Sequence, residues 1–128
     1  MIYLKKHCAI ILVIYNIVYF AEPGQVGTLT LTPSSHNISV NWTKPILNSH
    51  CVTQYEIYWE HALSGSNNSH IVSSENDTFV IEELDACVDY NVSVRAENEK
   101  NESTDAVTGN TTTETVGNYH TQIILLYL

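Results

Sequence analysis

Residues 84–98 read LDACVDYNVSVRAEN, and they constrain the fold more than any other stretch. Apolar side chains recur at every second position: Tyr90, Val92, Val94 and Ala96. That alternation describes a strand buried on one face and wet on the other. The acidic, irregular stretch before it (Glu82, Glu83, Asp85) predicts a corner in the chain. Leu84 suits a plug at the end of a β-sandwich, and Tyr90 opens the next long strand. The phenol hydroxyl of such a tyrosine bonds back to upstream backbone and pins the corner.

Six further stretches carry strand signals. Residues 28–32 place Leu29 and Leu31 on one face. Residues 37–43 turn Ile38, Val40 and Trp42 inward and Asn37, Ser39, Asn41 and Thr43 outward. Residues 54–60 place Tyr55, Ile57 and Trp59 on one face, with Glu56, Tyr58 and Glu60 on the other. A short strand is expected over 70–74, after a polar turn at 63–69. Another, over 77–82, points Phe79 and Ile81 inward. The Thr-rich stretch 105–113 has strand propensity, which Gly109 weakens. Short strands separated by turn signals, with no helical periodicity, predict an all-β sandwich of seven strands.

The N-terminus reads differently. Lys5 and Lys6 precede an apolar run at 8–20, and the small Ala21 precedes Glu22-Pro23-Gly24. Those are the parts of a secretory signal peptide over residues 1–21. A bilayer span needs about 20 apolar residues, more than this run supplies. Its removal would leave Lys44, Arg95 and Lys100 against 14 carboxylates, a net charge of −11. Such a surface repels nucleic acid and anionic lipid. Seven N-x-Ser/Thr sequons follow, at Asn37, Asn41, Asn67, Asn76, Asn91, Asn101 and Asn110. Behind a signal peptide they form a coherent secretory pattern of glycosylation sites.

The ordered landmarks resemble a fibronectin type III domain. Pro23 and Leu29 are followed by Trp42 and Pro45, then by Tyr55-x-Ile57-x-Trp59. Ile81, Leu84 and the run Tyr90-x-Val92-x-Val94-x-Ala96-x-Asn98 complete the set. The resemblance implies an immunoglobulin-like sandwich over residues 22–114 whose core holds Trp42, Tyr55, Ile57, Trp59, Leu84, Tyr90, Val92 and Val94. It also implies recognition of an extracellular protein rather than catalysis. The integrin-binding tripeptide of some family members is absent from the loop ENEKNES, so that activity is not expected. The spacings around Cys51 and Cys87 are loosely similar to ectodomain repeats of receptor tyrosine phosphatases. The alternative to a secreted module is therefore the N-terminal fragment of a multi-repeat cell-surface receptor.

With Cys8 removed in the signal, Cys51 and Cys87 are the candidate disulfide residues. In the fold that the resemblance implies, they lie at opposite ends of the sandwich. A strand of six or seven residues separates those ends by roughly 20 Å, whereas bridged Cα atoms lie within about 7 Å. The expectation is that each bonds outside its own domain, to a neighbouring domain or a second chain.

Little else suggests chemistry. His36, His50, His61, His70 and His120 show no zinc spacing with one another or with cysteine. His50 beside Cys51 reads as a loop residue rather than a catalytic partner. The carboxylates Glu82, Glu83, Asp85 and Asp89 lack the glycine and spacing of a calcium loop. No catalytic residue, metal or cofactor is expected, and no membrane span. Tyr58, on the outer face of its strand, is the candidate interface residue, because tyrosine offers large contact area at interfaces. The tail from residue 115 to 128 ends in TQIILLYL and is expected to be disordered or truncated.

Overall fold

The computed structural model describes residues 3–6, 8–12, 17–101, 103 and 105–117. His120 and the apolar tail lie outside them. Three antiparallel strands come first: β1 (Tyr3–Lys6), β2 (Ala9–Leu12) and β3 (Ile17–Phe20). The sandwich follows, from β4 (Leu29–Pro33), β5 (Ile38–Trp42), β6 (Gln54–His61) and β7 (Asn67–Ser73) to β8 (Thr78–Ile81), β9 (Asp89–Glu97) and β10 (Val107–Thr112). One sheet has the order β4-β5-β8 and the other β10-β9-β6-β7. Every pairing is antiparallel. A single 3-10 turn, Ser49–Cys51, interrupts the loop before β6.

The alternation seen in the sequence is what divides inside from outside. Along β9, Tyr90, Val92, Val94 and Ala96 are buried, while Asn91, Ser93 and Arg95 reach outward. Ile38, Val40 and Trp42 meet them from β5, and Tyr55 and Ile57 from β6. Trp42 packs its ring against Tyr55, with centroids 5.3 Å apart. Burial pushes the Tyr55 phenol above the ordinary tyrosine pKa. Trp59 is only partly buried and lies 6.3 Å from Phe79.

The corner closes through reciprocal hydrogen bonds. The Asp85 N–H donates to the Tyr90 hydroxyl at 3.1 Å. The buried Thr113 adds a second lock: its hydroxyl donates to the Asp85 carbonyl (2.6 Å) and accepts from the Val88 N–H (3.0 Å). His36 ties the same corner to the β4–β5 turn. Its carbonyl accepts from Leu84 N at 2.9 Å, and its Nδ1 donates to the Leu84 carbonyl at 2.8 Å.

Two strands differ from the sequence reading. Residues 67–69, expected in a turn, belong to β7 and pair with Glu60, Trp59 and Tyr58. This is an edge strand exposed on nearly its whole length, so no apolar alternation marks it. Gly109 sits inside β10 because β4 passes close beneath. A Cβ there would lie 3.0 Å from Leu31 Cδ1.

Tyr90→Phe strands the Asp85 N–H, and the expected cost is about 1–2 kcal/mol. Thr113→Val leaves both a donor and an acceptor without a partner and is expected to cost more, about 2–3 kcal/mol. Urea unfolding of the two variants with unchanged m-values checks both figures and their order.

Candidate functional site

The register of the four-stranded sheet arranges its outward side chains in rungs. Asn67, Glu60, Asn91 and Asn110 share the first. Ser69, Tyr58, Ser93 and Thr108 share the second. Ile71, Glu56 and Arg95 share the third, and Ser73, Gln54 and Glu97 the fourth. Each rung lies about 6.7 Å from the next, two residues along a strand.

Tyr58 stands at the centre of this face, half-buried. Its hydroxyl donates to Glu60 Oε2 at 3.4 Å. Partial desolvation holds its pKa above the usual tyrosine value, and the Glu60 carboxylate adds to this both by repelling the phenolate and by accepting the phenol proton. An open depression of about 330 Å³ lies beside it, lined by Glu56, Tyr58, Ser93, Arg95, Ala106 and Thr108. Ligand pockets of that size are usually deep and apolar. This one is partly open, with the Glu56 carboxylate and the Arg95 guanidinium in its lining. Exposed Ile71 adds an apolar contact on the same rung as Glu56 and Arg95.

The sequon asparagines divide between this face and other places. Asn67, Asn91 and Asn110 are here, and Asn110 Nδ2 donates to Asn91 Oδ1 at 3.0 Å. Asn41 is exposed on β5 of the other sheet, in register with Thr30 and Thr78. Asn37, Asn76 and Asn101 are exposed outside the strands, and the Asn76 side chain bonds Ser73. His70 is not an isolated surface residue: its ring stacks on Phe79 at 4.7 Å.

The cysteine expectation needs correction. Cys51 is bonded to Cys8, with Cα atoms 5.2 Å apart. It is buried and therefore not available for a bond to another domain or chain. Cys87 is exposed, unbonded, and holds a left-handed backbone at φ 60°. The two former candidates do sit at opposite ends. Cys51 precedes the Gln54–Glu97 end of the β6–β9 pair, and Cys87 precedes the His61–Tyr90 end. What the sequence reading missed was the third cysteine, because Cys8 lies in the stretch assigned to a signal. The bond brings the N-terminal sheet onto the sandwich. There Asn98 Nδ2 donates to the Ala21 carbonyl (3.3 Å) and Lys100 Nζ sits 5.0 Å over the Phe20 ring. It also gathers Cys8, His50 and Cys51 so that their donor atoms lie within 4.8 Å of one another. A metal takes thiolates, and a sulfur held in a disulfide is not one. Among the described residues no helix is long and apolar enough to cross a membrane.

Two measurements test this geometry. Alkylation of the intact 128-residue chain without reductant should label Cys87 alone, and a non-reducing peptide map should recover Cys8 joined to Cys51. In a spectrophotometric titration at high pH, Glu60→Gln should bring the Tyr58 phenol down toward the ordinary tyrosine range. Tyr58→Phe should delete that late-titrating group.

The comparisons with known proteins agree with the geometry. The family matched is "Fibronectin type III domain", over residues 22–110. A two-domain fibronectin type III segment from chicken tenascin superposes with a TM-score of 0.67 at 20% identity, covering 76% of this chain and 54% of that one. The fibronectin type III domain of human collagen alpha-1(XX) gives 0.64 at 22% identity, covering 74% and 90%. Domains d3–d4 of the rat CD45 extracellular region give 0.63 at 20% identity, covering 76% and 55%. The chain thus spans about half of the tenascin and CD45 segments. The comparison with curated proteins finds no match.

Proposed function

The chain belongs to the fibronectin type III family, and on that premise we propose that it is a secreted or cell-surface module that binds an extracellular protein, without bond chemistry. The observation that carries this reading is the outer face of the β10-β9-β6-β7 sheet. Tyr58 stands there beside the Glu56–Arg95 pair of neighbours, over an open depression of about 330 Å³. Tyrosine and arginine, here Tyr58 and Arg95, are among the residues that protein interfaces enrich at their anchoring points.

The secretory assignment is supported by the Lys5-Lys6 start, the apolar run at 8–20 and the seven sequons. Removal of residues 1–21 before the Cys8–Cys51 bond forms would take Cys8 with it and leave Cys51 as a thiol. The domain proper would then be 22–114. A second reading, in which the chain is part of a longer receptor, draws on its likeness in fold to domains d3–d4 of the rat CD45 extracellular region.

Expression in secreting animal cells tests the proposal. The expected product in the medium starts near Glu22 and loses mass on treatment with glycosidase. A bead-multimerised form should bind cell surfaces, and Tyr58→Ala should weaken that binding tenfold or more, a loss of about 1.4 kcal/mol or greater. A chain retained inside the cell, unglycosylated and starting at Met1, overturns it. So does surface binding that Tyr58→Ala leaves untouched.

A further inference from the structure

Three of the seven sequons lie far apart in sequence yet occupy one rung. Asn67 on β7, Asn91 on β9 and Asn110 on β10 flank Glu60 on β6, all pointing outward. With strands about 4.8 Å apart, the rung places Asn67 about 10 Å from Asn91, and Asn91 about 5 Å from Asn110. We propose that this rung is a compound N-glycosylation site, whose oligosaccharides wall off one end of the sheet face, so that a partner reaches Tyr58 only from the Glu56–Arg95–Ile71 end. The proposal rests on the secretory reading above.

The chemistry suits each residue. In the transfer, an asparagine Nδ2 attacks the anomeric carbon of a lipid-pyrophosphate-linked oligosaccharide. The C–N bond forms, the C–O bond to the pyrophosphate breaks, and the amide gives up one proton. One N–H then stays on the nitrogen. For Asn110 that remaining N–H can keep its bond to Asn91 Oδ1, so modification need not undo the pairing of β10 with β9. Asn91 Nδ2 makes no hydrogen bond among the described residues. Asn67 and Asn110 stand on the two edge strands, exposed. The sequon hydroxyls of Ser69 and Ser93 lie on the Tyr58 rung itself. A sugar rooted at Asn91 therefore starts about one rung, roughly 7 Å, from the phenol ring. The Glu56–Arg95–Ile71 rung lies twice as far away.

Glycopeptide mapping of the chain secreted by animal cells, combined with hydroxyl-radical footprinting, tests this. The expected result is glycan at Asn91 and at one or both of Asn67 and Asn110. Tyr58 should be oxidised slowly, and several-fold faster in the Asn67→Gln/Asn91→Gln/Asn110→Gln variant, while Ile46 in the β5–β6 loop does not change. Glycan at Asn37 or Asn76 with Asn91 bare overturns the inference and leaves the recognition reading intact. So does an occupied rung with Tyr58 labelled equally in both proteins. Bare asparagine at every sequon overturns the secretory reading, and this inference with it.

Discussion

The Tyr90 hydroxyl holds the N–H of Asp85 at the second of the two places where the chain passes from the β4-β5-β8 sheet to the four-stranded one. Everything on β9 follows from that anchor. Side chains alternate with a period of two, so a slip of one residue would turn Val92 and Val94 to water and Asn91 and Arg95 into the core. Thr113 and His36 bind the same corner from the chain beyond β10 and from the β4–β5 turn. Three segments distant in sequence thereby fix one register.

That register determines where function can lie. Once the apolar half of β9 is committed to the core, its polar half faces outward beside the polar half of β6. The resulting surface is a face of four strands with a partly open depression beside Tyr58. It offers an aromatic, two opposite charges and an apolar residue spread over neighbouring rungs. Those are the elements of a contact surface, in which complementarity over an area replaces precision at a point.

The sequence made most of this legible wherever a strand has one buried face. Alternation alone locates the strands around Val40, Ile57 and Val92, and it sends Tyr58 outward. It is silent on residues 67–69, the exposed start of β7, where no apolar period exists. It is equally silent on Thr113, which sits in a run of threonines with the same local propensity as its neighbours; only the partners Asp85 and Val88 make it different. The Cys8–Cys51 bond escaped for another reason. A basic, then apolar N-terminus reads as a leader to be discarded, whatever cysteine it carries. The rung of asparagines could not be seen at all, since it depends on how four strands are set against each other, a long-range property that no local pattern encodes.

The two ends of that rung also bear on how the sheet avoids other chains. Strands β7 and β10 are its edges, and an edge strand presents unpaired N–H and C=O groups to any extended segment nearby. Proteins blunt such edges with charge, proline or bulges. Within β7 there is neither proline nor acid nor lysine, and β10 contains only threonine, asparagine, glycine and valine. Each edge does carry an exposed sequon asparagine, Asn67 or Asn110. A branched oligosaccharide at either position would occupy the space that an incoming strand needs. A glycan at these asparagines would thus have two consequences from one geometry, confining access to the Tyr58 face and keeping both edges of the sheet from pairing with a second copy.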